Sequence, residues 1–367
     1  MIVERIELLD YRNYESAAFD LTSGVTAVLG RNGQGKTNLT EALAYLATLG
    51  SFRGAPPDAL VRVGADIGVI RATIREDDGR QVLIEAELSR IGRNRVQINR
   101  QKLGRTRDLL GVMRVSVFAP DDLIIVKGGP SERRRFLDDG LVALKTSYDA
   151  LRLQLDRIVR QRNSLLKQAG GRLTDEIAIT LDVWDARLAE VGETLGTARA
   201  TLVARCQPMV SEAYEQLAGE STPVELVYEP AWRRTGLVQA LVESRQMDVR
   251  RGVSTIGPQR DELAIRLNGL PARTHASQGE QRTLALAMRL AAHRLVAERT
   301  GSTPVLVLDD VLSELDPERA TALLANLPPG QVVITSASPL PPAANPDRII
   351  EIRSGMVVDD RIPDGQP

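Results

Sequence analysis

The sequence predicts an α/β protein: a mixed-sheet head, discontinuous in the chain, with an inserted α-helical lobe. Three observations predict it. Short β-branched segments bounded by Gly or Asp fill the chain up to about Pro120 and return after Thr222. Between them, apolar residues recur at helical spacing. Within the first block, a glycine-rich stretch from Gly30 to Thr37 joins an apolar strand to a helix.

The elements follow in order. IVERIELL, VTAVLG, GVIRATI and QVLIEAEL read as strands, and RVQINRQKL as a hairpin turning at Asn99-Arg100. A helix starts near Lys36 and runs through LTEALAYLATLG to Gly50. Further on, Leu144, Tyr148, Leu151, Leu155, Ile158 and Leu165 form a heptad seam interrupted by Arg162. After Gly170-Gly171 a second seam follows: Ile177, Leu181, Trp184, Leu188, Val191, Leu195, Ala198, Leu202, then Met209 past Arg205. Pro208 is expected to end or kink that helix. The two seams predict a short antiparallel coiled-coil hairpin, which serves either as a subdomain core or as an arm for a partner or DNA.

Strands then return as VELVYE, ELAIRLN with a turn at Asn268-Gly269, PVLVLDD and QVVITSA. A helix spans Ser277 to Glu298, and a last hairpin turns at Ser354-Gly355. The final DGQP is expected to be disordered. The expected boundaries are 1–120 and 246–367 for the head and 121–245 for the helical lobe.

Composition excludes several chemistries. The chain has 367 residues with 47 Lys+Arg against 48 Asp+Glu, a formal net charge of −1. That excludes a globally basic nucleic-acid coat but not a local basic patch. Two His and one Cys, Cys206, are too few for a Cys/His zinc site or an internal disulfide. Six Tyr, four Phe and two Trp leave little for a base-stacking platform. The N-terminus MIVERIELLDYRN has no signal-like apolar core, and no apolar run approaches the roughly 20 residues of a membrane helix. A soluble cytoplasmic protein with no membrane partner is expected.

Three motifs carry chemistry. Gly30, Arg31, Asn32, Gly33, Gln34, Gly35, Lys36 and Thr37 fit G-x-x-x-x-G-K-[ST] between a strand and a helix. Backbone N–H groups of such a loop wrap phosphate oxygens, the lysine reaches the β- and γ-phosphates, and the threonine hydroxyl binds Mg²⁺. The apolar run PVLVL ends in Asp309 and Asp310. In a phosphate-loop ATPase, Asp309 holds Mg²⁺ through water and Asp310 polarises the attacking water. Ser277, Gln278, Gly279 and Glu280 form the third motif. Ser277 and Glu280 have capping-box spacing, and the same helix start suits the γ-phosphate of a second nucleotide.

These pieces, in this order, resemble the ABC-type ATPase heads of the SMC and DNA-repair class. ASQGEQR (276–282) resembles their signature motif, and SELD (313–316) the loop that crosses to the opposite protomer. A closer resemblance is to the RecF family of recombination mediators. PDDLIIVKGGPSERRRFLD (120–138) is similar to a motif peculiar to that family, and 307–323 to a second. LLDYRNYES and STIGPQRDEL also fit, so the resemblance runs from Ile2 to about Val358.

The resemblance implies an ABC-type P-loop ATPase head that binds ATP with Mg²⁺ and hydrolyses it weakly, stimulated by DNA. ATP lies between the phosphate loop of one subunit and the signature of the other, so an ATP-dependent homodimer is implied. It further implies sequence-independent binding of double-stranded and single-stranded or gapped DNA. RecO and RecR are implied as partners in loading RecA, with roles in repair, replication restart and the SOS response. Nucleotide contacts fall on 30–37 and on Ser277, Gln278, Gly279 and Glu280. Mg²⁺ falls to Thr37 and Asp309, catalysis to Asp310 and Lys36. There are two departures. Gln259 stands where relatives often carry His, and ITSAS (334–338) lacks the His that many transporter-type heads use to sense the γ-phosphate, leaving Thr335 or Ser336 in its place.

Arg90, Arg93, Arg95, Arg100, Lys102, Arg105 and Arg107 form a run without an acidic residue, the first candidate for DNA phosphates. Two further basic groups lie within 152–167 and at Arg245, Arg250 and Arg251. With few aromatics, backbone contact to duplex or junction is favoured over base stacking. The alternatives are an SMC-like ATPase with another DNA-maintenance role, a transporter nucleotide-binding subunit and a small-molecule kinase.

Overall fold

Alternating apolar and polar residues build the first sheet of the protein, which a computed structural model describes over residues 1–363. The expectation for 364–367 lies outside the described residues. In chain order the first elements are β1 (Ile2–Tyr11), β2 (Tyr14–Asp20), β3 (Val25–Leu29), α1 (Lys36–Thr48), β4 (Ile67–Arg75), β5 (Gln81–Ser89), β6 (Arg95–Ile98), β7 (Gln101–Lys102) and β8 (Val115–Phe118). Six of these strands form an antiparallel sheet in the order β2-β1-β4-β5-β6-β7. Ile70, Ala72 and Ile74 of β4 and Ile84, Ala86 and Leu88 of β5 are fully buried on one face. The other face is laced with ion pairs: Arg5 bonds Asp20 and Glu7, and Arg71 bonds Glu7 and Glu85. The β6–β7 turn is at Asn99-Arg100, both left-handed with φ 50° and 66°, as a two-residue hairpin turn requires.

The chain then becomes mainly helical. α2 (Ile124–Lys127), α3 (Pro130–Leu144), α4 (Ser147–Gln168) and α5 (Asp175–Ala218) precede β9 (Val224–Val227) and α6 (Leu237–Arg251). After them come β10 (Ala264–Leu267), β11 (Leu270–Pro271), α7 (Ala272–His275) and α8 (Gln278–Thr300). Leu123–Glu212 and Thr222–Leu284 make one compact unit; the first unit comprises Met1–Asp122, Ala213–Ser221 and the chain from Ala285. α4 and α5 are joined through Gly170-Gly171, with φ 56° and 83°. Leu166, Ala169, Leu181 and Val249 close a small core there, so α6 joins the two heptad helices.

Three features differ from the sequence expectation. Leu144 ends α3 instead of opening the seam helix, because the extended Lys145 (φ −153°) separates α3 from α4. Pro208 lies inside α5, which runs on to Ala218. An interior proline costs about 3 kcal/mol, and burial of Val203, Cys206, Val210 and Ala213 on either side offsets it. The second unit continues to Leu284 rather than stopping at 245. Buried arginines fasten the following segment to the helices: Arg162 of α4 bonds Ser254 Oγ at 2.8 Å, and Arg199 of α5 bonds the Pro258 carbonyl at 2.7 Å.

The last elements are β12 (Val305–Asp309), α9 (Pro317–Ala325), β13 (Val332–Ser336), β14 (Arg348–Arg353) and β15 (Met356–Arg361). They complete a second sheet in the order β15-β14-β3-β13-β12-β8, parallel except for β15. β12 and β13 are buried at every residue, the mark of a sheet covered on both faces. Leu39, Leu43 and Leu46 of α1 share one core with Ile6, Val28, Ile70, Val307 and Val333. This core fixes the C-terminal ends of β3, β12 and β13 together, where a parallel sheet places its ligands.

Candidate functional site

β3 ends at Leu29 and α1 begins at Lys36, so the loop between them is Gly30–Gly35. Gly33 and Gly35 have φ of 78° and 122°. A Cβ on Gly35 would lie 2.8 Å from the Tyr14 hydroxyl, so glycine is required there. The N–H groups of Lys36 and Thr37 precede the first i→i−4 bond of α1 and can serve a ligand, whereas the Asn38 N–H already bonds the Gly35 carbonyl at 2.9 Å. Lys36 is 3% exposed; its Nζ lies 3.3 Å from the Arg31 carbonyl and 3.7 Å from Asp310 Oδ2. Arg31, Asn32 and Gly33 are exposed, while Gln34 and Thr37 are half-buried.

Asp309 ends β12 and is 3% exposed. Its Oδ1 accepts from Thr335 Oγ1 at 2.9 Å and from Thr40 Oγ1 at 3.0 Å. Burial raises its carboxyl above the ordinary carboxylate range; the Thr335, Thr40 and Thr37 hydroxyls lower it, and the neighbouring Asp310 charge adds to the rise. Asp310 is held left-handed at φ 51°, and its N–H donates to Thr335 Oγ1 at 3.0 Å. Its Oδ1 is buried with no hydrogen-bond partner among the described residues. The loop, Lys36, Thr37 and the two aspartates thus lie around one place. The donors fit a magnesium-bound triphosphate: N–H groups and an ammonium for phosphate oxygens, a hydroxyl and a carboxylate for the metal.

Some supporting residues had no motif to betray them. The β1–β2 turn clasps the loop: Asn13 Nδ2 donates to the Gln34 carbonyl at 3.0 Å and the Tyr14 hydroxyl to the Gly35 carbonyl at 2.8 Å. Arg12 binds the fully buried Glu41 of α1 through two 2.7 Å bonds. On the far side, the Ser354 and Gly355 N–H groups bond Gln34 at 2.7 and 3.0 Å. The RNY of LLDYRNYES thus shapes the loop, although sequence alone tied that segment only to a family resemblance.

In the second unit, Ser277 and Glu280 form the capping box read from their spacing. The Ser277 N–H donates to Glu280 Oε2 at 2.6 Å and the Glu280 N–H to Ser277 Oγ at 3.2 Å. Ser277 and Gln278 are exposed and Gly279 is half-buried. Gln281, 4% exposed, fixes the turn before them: its Nε2 lies 3.0, 3.1 and 3.0 Å from the carbonyls of Ala272, Arg273 and Ala276. In the SELD stretch, Ser313 Oγ donates to the Asp310 carbonyl at 2.7 Å and Asp316 caps α9.

All seven basic residues from Arg90 to Arg107 are exposed. Arg95 also faces Glu87 at 3.5 Å, and Arg90 bonds the Arg62 carbonyl. The other two basic groups lose members. Arg162 is fully buried against Asp185 and Asp248, and Arg245 is held by Asp182 and Asp185. Neither is a surface contact. Among the described residues no helix is long and apolar enough to cross a membrane.

A family profile described as the RecF/RecN/SMC N terminal domain matches residues 2–341. The DNA replication and repair protein RecF of Streptomyces avermitilis is 46% identical over 353 residues, 92% of this chain and 94% of that one. The chain belongs to the RecF family. RecF of Kineococcus radiotolerans is 41% identical, with 92% of this chain and 93% of that one covered. The solved structure of the recombination mediator protein RecF-ATPrS in the RecFOR pathway matches with a TM-score of 0.89 at 30% identity, over 98% of each chain. An SMC head bound to the C-winged helix domain of ScpA shares the fold, with a TM-score of 0.61 at 17% identity over 99% and 98% of the two chains. The α/β architecture of this chain is that of the RecF and SMC heads.

Proposed function

We propose that this RecF-family chain is an ATP-dependent, DNA-binding recombination mediator. One observation carries the reading: Thr40 and Thr335 hold Asp309 beside Lys36 and Asp310 at the mouth of a glycine loop. That arrangement suits a nucleoside triphosphate whose hydrolysis acts as a switch. Thr37 and Asp309 would hold Mg²⁺, which when bound would neutralise charge on the phosphates. Gly30–Thr37 cradle the phosphates and Lys36 pairs with the β- and γ-oxygens. Asp310, whose Oδ1 is otherwise unpartnered, orients the attacking water. Ser277, Gln278, Gly279 and Glu280 meet the γ-phosphate of a second copy, so ATP drives homodimerisation. Arg90, Arg93, Arg95, Arg100, Lys102, Arg105 and Arg107 contact DNA phosphates without reading sequence.

The named relatives support the biological setting, including a solved RecF-ATP structure in the RecFOR pathway. In that setting the chain works in the cytoplasm with RecO and RecR at gapped DNA to load RecA, and serves repair, replication restart and SOS induction. Its hydrolysis is weak and DNA-stimulated. Sedimentation of the full chain tests the reading, with ATP, with a non-hydrolysable analogue and with neither, each with and without gapped DNA. Pairing on nucleotide and co-sedimentation with DNA are expected. A monomer under every condition would sink the proposal.

A further inference from the structure

The STIGPQRDEL segment lies in a cluster of arginines of the second unit, and two of them are unbalanced. Arg133 is saturated by Glu262 at 2.6 and 2.9 Å, and Arg199 by Asp138 through two 2.8 Å bonds. Arg134 and Arg260 differ. Arg134 Nη1 donates to the Asp261 carbonyl at 2.8 Å, and Arg260 Nε to the Ser254 carbonyl at 3.0 Å. Among the described residues neither has a carboxylate at ion-pair distance.

Asp261 offsets the Arg134 charge only in part and forms no ion pair with either. Its oxygens accept from the Tyr228 hydroxyl and from Trp232 Nε1, its ion-pair neighbour is Arg199 at 3.9 Å, and Arg134 acts on it more weakly. The cluster therefore sets Arg133, Arg134, Arg199 and Arg260 against Asp138, Asp261 and Glu262, an excess of positive charge. Burial and then the Arg199 charge lower the Arg134 pKa below the usual arginine value; Glu262 and Asp261 oppose that shift without cancelling it, and Arg260 adds to it.

The two guanidiniums are also pre-oriented. Each is tied to a carbonyl of the same segment, and each has N–H groups beyond that bond, in the planar fork that matches phosphate. Arg134 is half-buried and Arg260 exposed, so a ligand can reach them.

We propose that Arg134 and Arg260 form a phosphate-binding pair, distinct from the phosphate loop. The phosphate comes either from a nucleic-acid backbone or from the nucleotide of a second copy of the chain. This rests on the proposed function for the source of the phosphate, and the experiment separates the two. The full-length chain is compared with Arg134→Gln, Arg260→Gln and the double variant. One readout is the salt dependence of binding to a labelled mixed-sequence duplex. The other is pairing on ATP, followed by sedimentation, with thermal melting to check the fold.

If the source is DNA, the slope of log affinity against log salt falls by about 0.9 for each contact removed, and pairing on ATP stays as in the wild type. If the source is the second copy's nucleotide, pairing on ATP is lost while the DNA slope and each copy's ATP affinity are unchanged. A folded double variant with wild-type slope and wild-type pairing overturns the proposal. Should the double variant melt early, the exposed Arg260→Gln alone decides on the same readouts. A wild-type chain that neither binds DNA nor pairs on ATP overturns the proposed function and this pair together. A wild type that does both, with unchanged variants, overturns the pair alone.

Discussion

Thr335 joins both acids of the candidate site through one hydroxyl. It donates to Asp309 Oδ1 at 2.9 Å and accepts from the Asp310 N–H at 3.0 Å. That second bond holds Asp310 in a left-handed conformation that non-glycine residues rarely adopt. A bond to a charged group is worth about 1.5–3 kcal/mol, and about 1.4 kcal/mol is tenfold in rate. Thr335→Val is therefore expected to slow ATP hydrolysis by about tenfold or more, with ATP affinity much less affected. Thr335→Ser should restore most of the rate; equal turnover by the valine variant would remove the role. Sequence alone marked Thr335 through a missing His, but not Thr40, because a threonine three residues past Thr37 belongs to no motif. His293 gives a second test at this scale. It is 1% exposed, neither ring nitrogen has a hydrogen-bond partner among the described residues, and burial with Arg294 nearby pushes its pKa down to about 4. The ordinary value is 6.5, so between pH 6.5 and 4 the unfolded chain takes up a proton that the folded one does not. Stability gained above pH 6.5 is thus lost as pH falls toward 4, by about 3 kcal/mol from this residue. Between pH 7 and pH 5 the urea midpoint of wild type should fall further than that of His293→Leu, and equal falls would remove the effect.

At the scale of elements, local signals were legible and distant partners were not. The turns at Asn99-Arg100, Asn268-Gly269 and Ser354-Gly355 all have positive φ, because short hairpins impose their chemistry within two residues. Arg162 was different. In the heptad pattern it is an interruption, yet the structure buries it completely, 2.7 Å from both Asp185 and Asp248. Those partners lie 23 and 86 residues away, beyond any periodicity in one helix. The arginine ties α4 to α5 and α6, whereas apolar spacing showed only two helices. Removing one partner of a buried ion network leaves charges stranded, at a cost of about 3–5 kcal/mol. Arg162→Ala should lower the thermal midpoint strongly, and Arg157→Ala, on the exposed face of the same helix, should leave it nearly unchanged. Similar midpoints for the two variants would mean that the network adds little.

The whole molecule was the least legible level, because its second sheet is assembled from remote parts. β3 pairs with β13 and β14, so Thr26 lies opposite both Val333 and Arg348. No local pattern orders those strands, although each one read as a strand. The motifs nevertheless divided into two groups: loop and aspartates in the first unit, Ser277–Glu280 in the second. If ATP pairs two copies through both groups, the two should fail differently. Lys36→Arg changes a point charge into a bulky planar fork in a nearly closed space. It should abolish every effect of ATP on sedimentation. Ser277→Arg adds bulk and charge at an exposed helix start, remote in sequence from the loop. It should keep ATP affinity near wild type and still block pairing. Asp310→Asn removes the proposed base while preserving size, so the paired form should form and persist instead of decaying with hydrolysis. Sedimentation of the three variants, with ATP affinity measured in parallel, separates these outcomes. Pairing by Ser277→Arg would displace the signature from the interface, and normal turnover by Asp310→Asn would move the catalytic base to another residue.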